Sequence, residues 1–164
     1  MGIDARTYRD AMARLGAAVN VVTTGTMEDP AGFTASAVCS VTDDPPTLLV
    51  CLNRTSRVRS RFREGAAMCI NVLSASQQDI SGVFASAAEQ HERFASGHWR
   101  TLTTGAPVLE EAVASFDCRI ERIVEVGTHS VMFGAVESLR NGSSHGGLIY
   151  FNRTYHMLPP ASEG

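Results

Sequence analysis

Three stretches of the chain carry the side chains that can do chemistry. The first, "GFTASAVCSV" at residues 32–41, reads as one strand bearing the hydroxyls of Thr34, Ser36 and Ser40, the thiol of Cys39 and no charge. Small side chains let a main chain come close to a flat guest. Thr34, Ala35, Ser36 and Ala37 therefore suit the floor of a slot in which backbone N–H and C=O groups meet the polar edge of a planar cofactor. On composition alone, a barrel strand packed tightly on its neighbour fits better still. The second stretch, "CLNRTSRVRSRF" at 51–62, leaves an apolar run at Asn53 and becomes arginine-rich after Ser56. A helix starting at Ser56 would gather free N–H groups, the hydroxyls of Thr55 and Ser56 and nearby arginines into a socket for a phosphate. Ser56 is equally a plain helix cap, and Arg59, Arg61 and Arg63 read as a solvated helix face. The pairing matters more than either part: a ring slot and a phosphate socket stand about 20 residues apart. In the third stretch, "VGTHSVMFG" at 126–134, His129 heads a strand after Gly127, where it lines a substrate face or, viewed alone, satisfies a turn.

Other chemistries lack their residues. The four cysteines at 39, 51, 69 and 118 show no C-x-x-C spacing and sit beside apolar residues, so they read as structural thiols in a reducing compartment. The histidines at 91, 98, 129, 145 and 156 form no H-E-x-x-H, which argues against a zinc enzyme. No glycine-rich dinucleotide or P-loop motif is present, nor any nucleophile triad. The formal charge of -3 argues against nucleic acid as the main partner, although Arg54, Arg57, Arg59, Arg61 and Arg63 form a local basic cluster. No apolar run is long enough to cross a bilayer and no signal segment opens the chain, so the expected setting is cytoplasmic, with no membrane.

The elements that must hold these stretches follow from periodicity. A chain of 164 residues suits one domain, 1–164, with its core at about 8–158. Asp4 caps a helix whose Tyr8, Met12 and Leu15 recur at helical spacing before Gly16. Strands are expected at 19–24, 32–41, 47–52 and 68–73, with a short helix over 56–64. Residues 76–95 read as a solvated helix with Ile80, Val83, Phe84 and Ala87 inward. A loop with Trp99 and Pro107 follows. In the next strand, Phe116, Cys118, Ile120, Val124 and Val126 take one face; Ser115, Asp117, Arg119, Glu121 and Glu125 take the other, solvated one. Two last strands, 130–139 and 148–158, flank a Gly-Ser turn at about 141–147. Strands that mostly follow one another make a mainly β fold with helical inserts, an antiparallel barrel rather than a doubly wound sheet.

Taken together, "YRDAMARLGAAVNVVTT", "GFTASAVCSVTDDPPTLLVCLNRTS", "CINVLSASQ", "ERFASGHW", "GAPVLEEAVASFDCRI", "VGTHSVMFG" and "GLIYFNRTYHML" resemble the short-chain flavin reductase family, in order from Tyr8 to Leu158. That family comprises the reductase components of two-component flavin monooxygenases, those of hydroxyphenylacetate oxidation and pyrimidine utilisation among them. The resemblance implies a split β-barrel of Greek-key type and a homodimer with flavin sites near the subunit interface. It implies that NADH or NADPH reduces FMN or FAD, and that reduced flavin diffuses to a partner flavin-dependent monooxygenase. Carried over by motif, Thr34, Ala35 and Ser36 lie along the isoalloxazine edge with Ser40 and Val41 nearby. Cys51, Leu52 and Asn53 approach the ribityl chain, Ser56 the phosphate, and His129 the nicotinamide or ring face. One departure stands out: many relatives have Gly-Lys where this chain has Ser86 and Ala87, so a lysine contact to phosphate is missing. Hydride transfer between two stacked rings asks the protein for orientation and charge tuning, not for a nucleophile. The rival readings are a non-catalytic flavin-binding split barrel and an enzyme like pyridoxamine-phosphate oxidase.

Overall fold

Asp4 accepts the N–H groups of Arg6 and Thr7 at 3.0 and 2.9 Å and so starts α1 (Ala5–Met12). The computed structural model, which describes residues 2–142 and 146–162, buries no residue of this helix. Tyr8, Met12 and Leu15 are all exposed, so the apolar stripe seen in the sequence has no cover within the chain. Beyond it come β1 (Ala17–Ala18), β2 (Asn20–Gly25), β3 (Pro30–Ala35), β4 (Val38–Asp43), β5 (Pro46–Asn53) and β6 (Ala67–Val72). Two helices follow, α2 (Gln78–Ala85) and α3 (Gln90–Phe94), then β7 (Trp99–Arg100) and β8 (Val108–Leu109). The chain finishes with β9 (Ala114–Val126), β10 (His129–Asn141), β11 (Gly147–Phe151) and β12 (Thr154–Leu158).

Seven of these strands make one antiparallel sheet in the order β3-β2-β6-β9-β10-β5-β4. Its first and last strands are consecutive in the chain, so Ser36 and Ala37 alone join the two ends. The sheet therefore has to curl until its edges meet, and the Cys51 N–H donates to the Ala37 carbonyl at 3.0 Å, extending the β4–β5 ladder up to that link. This is the split barrel that the sequence led us to expect. Its interior is packed by Val22, Phe33, Val50, Phe62, Ile70 and Met132, among others. A second apolar layer, including Val21, Leu73, Phe84 and Leu148, lies outside the sheet under α2, α3 and the β7–β8 hairpin. Because both faces are covered, Val21 and Val22 are both buried and β2 shows no alternation.

Several expectations change in the fold. Residues 56–64 form no α-helix, only a 3₁₀ turn at Arg59–Arg61, because Phe62 drops fully into the barrel with its ring edge-on to Phe33 at 5.3 Å. The 32–41 strand breaks at Ser36–Ala37 into β3 and β4. The 76–95 helix breaks into α2 and α3: the Ser86 hydroxyl donates to the Val83 carbonyl at 2.7 Å, the backbone turns extended there, and Ala87 is exposed. The 148–158 strand is a hairpin, turned by Asn152 and Arg153 at φ 49° and 60°. Of the Gly-Ser turn, residues 143–145 lie outside the described residues. Ser115 and Asp117, expected on a solvated face, are buried. The 101–109 segment crosses over them, with the Thr104 N–H and hydroxyl both donating to Asp117.

Candidate functional site

The seam of the barrel opens into a cleft. Strand pairing with β2 ends at Ala35, and among the described residues the N–H groups of Ser36 and Ala37 have no acceptor. Opposite them runs the end of β5, and α2 and α3 close a third side. The cavity between holds about 410 Å³, within the range of roughly 300–1,000 Å³ typical of small-molecule sites. Its walls are Phe33–Ala37, Cys51–Asn53, Ser56, Phe84, Ala85, Arg93 and His129. Eight of the ten residues carried over by motif thus meet here, Thr34, Ala35, Ser36, Cys51, Leu52, Asn53, Ser56 and His129, together with Ala37 of the expected floor. Ser40 and Val41 do not. Both are exposed on β4, past the seam, and Ser40 borders a separate groove with Val38, Pro46 and Leu48.

Each wall is fixed by local hydrogen bonds. The Thr34 hydroxyl donates to the Ser81 carbonyl of α2 at 2.7 Å, and the Ser81 and Tyr155 hydroxyls meet at 2.7 Å. Asn53 Oδ1 accepts the Thr55 N–H at 2.9 Å and its hydroxyl at 2.8 Å, an Asx turn that orients the loop toward Ser56. The hydroxyls of Ser36 and Ser56 have no partner among the described residues, which leaves them able to bind a guest. The antiparallel β5–β10 ladder sets His129 opposite Asn53, and Thr128 Oγ1 lies 2.9 Å from its Nδ1.

Charge around the cleft is largely committed. Arg54 and Arg59 converge on Glu125 at 3.1 and 2.8 Å, and Arg59 also donates to the Ser130 hydroxyl at 2.6 Å. The hydrogen bonds from Arg59 and Ser130 hold the Glu125 carboxyl below the usual range. Arg93, 8% exposed, donates to the carbonyls of Ala88 (3.1 Å), Gly32 (2.7 Å) and Ser86 (2.7 Å). Burial, and then the nearby Arg57, lower its pKa from the usual arginine value. The glycine at 32 lets the Phe84 ring pack against this strand: a Cβ there would meet the ring and the Val22 carbonyl at 3.0 Å. Sequence reasoning missed Arg93, Phe84 and Ala85. Arg93 follows Glu89 and Glu92 and reads as an ordinary surface pair partner, and no local pattern betrays the three carbonyls it gathers.

The thiols are unpaired. Burial pushes Cys118 up to about 12 and Cys69 well above the usual thiol value, and burial also raises Cys51 in the cleft wall. They are therefore protonated and inert at neutral pH, whereas Cys39 is exposed. Among the described residues no cluster of histidine, cysteine and carboxylate is arranged to hold a metal, and no helix is long and apolar enough to cross a membrane.

The seam of this split barrel offers bare backbone, hydroxyls and a histidine, the groups that suit the polar edge of a flat ring, and its one thiol is kept protonated. Residues 12–159 match the flavin reductase like domain, and the chain belongs to the flavin reductase family. Over 156 residues, 95% of each chain, it is 51% identical to the FMN reductase (NADH) RutF of Escherichia coli. The crystal structure of a candidate flavin reductase from Haemophilus somnus 129pt superposes with a TM-score of 0.91 at 44% identity, covering 95% of this chain and 100% of that one. BorF, the flavin reductase component of a bacterial two-component tryptophan halogenase, gives a TM-score of 0.88 at 28% identity, with 96% and 100% covered.

Proposed function

We propose that this chain is an NADH-dependent flavin reductase that reduces FMN and releases it to a flavin-dependent monooxygenase. The observation that carries this reading is the meeting of eight motif residues in one cleft, on a chain 51% identical to an FMN reductase (NADH). When bound, the flavin accepts a hydride from the nicotinamide. The chain's own part is orientation. The free N–H groups of Ser36 and Ala37 face the ring's polar edge beside Thr34 and Ala35, and Cys51, Leu52 and Asn53 flank the ribityl chain. Ser56 donates to the phosphate, and His129 packs on the nicotinamide side. Donors at the ring edge favour the negative charge that builds up on reduction. FAD is the alternative flavin and NADPH the alternative donor. Transfer of reduced flavin to a second component is supported by BorF, the reductase of a two-component tryptophan halogenase, and a monooxygenase as that component by the similar styrene monooxygenase flavin reductase of Pseudomonas putida S12. We take residues 1–164 as one functional domain in the cytoplasm, a reading that fits the family match over 12–159 and the unpaired cysteines.

The test is consumption of NADH by the purified protein with added FMN, then with FAD and with NADPH. NADH with FMN should give the highest kcat/KM; no turnover with any pairing would leave only a flavin-binding barrel. In the same assay His129→Ala should lower turnover with NADH by roughly 10- to 100-fold and change flavin affinity much less, because misplacing the donor ring costs rate rather than flavin binding. Equal kinetics for variant and parent would remove His129 from the site.

A homodimer is part of the same proposal. Tyr8 and Met12 on α1, Leu15 just beyond it, and Met157 and Leu158 on β12 are exposed apolar residues, more than a lone small domain usually leaves open. Light scattering should give twice the chain mass of 17.6 kDa; a single-chain mass at assay concentrations would overturn it.

A further inference from the structure

One ion pair stands beside the cleft, next to its lining residues Ser56 and Arg93. Arg57 follows Ser56 on the β5 side, and Glu89 stands just before α3 on the helical side. Arg57 Nη2 meets Glu89 Oε1 at 3.2 Å, with the two side chains 62% and 65% exposed. A pair this exposed contributes little to stability and is easily exchanged. The arginines around it are differently placed: Arg54 and Arg59 hold Glu125, Arg61 holds Asp29, and Arg93 is spent on three carbonyls. Among the described residues, Glu89 is the only polar partner of the Arg57 guanidinium.

We propose that Glu89 stands in for an anionic group of the ligand, and that Arg57 exchanges it for the phosphate of FMN, so that this pair selects phosphorylated flavin over riboflavin. The proposal rests on the flavin reductase reading above. A phosphate monoester carries more charge than a carboxylate and offers three acceptor oxygens to the planar guanidinium, so it wins the exchange. The unpartnered Ser56 hydroxyl is the adjacent residue and shares the same phosphate. Glu89, once released, is already mostly in water, so its departure costs little. While it stays, its negative charge opposes an incoming phosphate; Glu89 therefore moderates the preference for FMN that Arg57 confers, and neither residue alters riboflavin binding.

The experiment is quenching of flavin fluorescence, titrating FMN and riboflavin into the full-length parent, Arg57→Ala and Glu89→Gln. Gln keeps the size of Glu89, and the backbone N–H of residue 89 keeps its bond to Glu92. The parent should bind FMN more tightly than riboflavin. Arg57→Ala should raise the Kd for FMN about tenfold, the loss of one charge-assisted contact, and leave that for riboflavin unchanged. Glu89→Gln should tighten FMN severalfold and again leave riboflavin alone. Equal weakening of both flavins in Arg57→Ala, or an unchanged Kd for FMN, overturns the proposal. An unchanged Kd for FMN with a raised KM for NADH assigns Arg57 to the dinucleotide instead. A parent that binds FMN while Arg57→Ala matches it sinks the proposal alone; a parent that quenches neither flavin sinks the flavin reading with it.

Discussion

Arg93→Ala should lower stability by about 3 kcal/mol and weaken flavin binding together. Arg93 is 8% exposed, and its guanidinium ties Gly32 of β3 to Ser86 and Ala88 at the break between the two helices. Charge-assisted hydrogen bonds contribute about 1.5–3 kcal/mol each, but their sum overstates the loss. Removing the side chain also removes a desolvated charge, and water can reach Ser86 and Ala88, which lie nearer the surface. Gly32 is enclosed between β2 and Phe84 and keeps an unmet carbonyl. The α2–α3 wall then loses its anchor to the strand that floors the cleft. Urea unfolding gives the stability change and fluorescence titration the affinity. Arg93→Lys, with one ammonium for three diverging acceptors, should recover only part of either. A change below about 1 kcal/mol would mean that water replaces the guanidinium without cost.

The second large effect separates function from stability. Ser36→Trp should leave unfolding within about 0.5 kcal/mol of the parent, because Ser36 is exposed and outside the strand ladder. NADH consumption with FMN should nevertheless fall more than about 100-fold, since the indole would fill a slot of about 410 Å³ that small side chains keep open. Turnover near the parent value with an intact fold would mean that the ring lies elsewhere.

How far the sequence spoke can be read from particular residues. The inward parity of Phe116, Cys118 and Ile120 was legible because a strand's period is local, and those residues do face the barrel. Ser115 and Asp117 were not, since only a distant segment, 101–109, makes their face an interior. Val58 and Phe62 have helical spacing, and arginines favour helices, so a helix after Ser56 was the natural reading. The pull of Phe62 into the barrel and Gly65 at φ +85° end the turn before a helix can form. The phosphate socket imagined there thus loses its helix but keeps its hydroxyl and Arg57. Ser40 and Val41 were joined to the ring slot by motif; the break at Ser36–Ala37 puts them on β4, away from the cleft lining. The cleft residues themselves were legible through motif, whereas Arg93 acts through three carbonyls that no local pattern announces.

The link at Ser36–Ala37 also sets when the slot comes into being. The β4–β5 hairpin sets Ala37 beside Cys51 locally, yet Thr34 and Ala35 of β3 come to face Leu52 and Asn53 only after a sheet extending to Asn141 has wrapped around to bring β3 back to β5. Pairings of such long sequence separation are slow to form, because much chain entropy is lost before they are rewarded. The cleft is therefore among the last features the polypeptide acquires, and a ligand seated there favours the fully wrapped barrel over any half-assembled sheet.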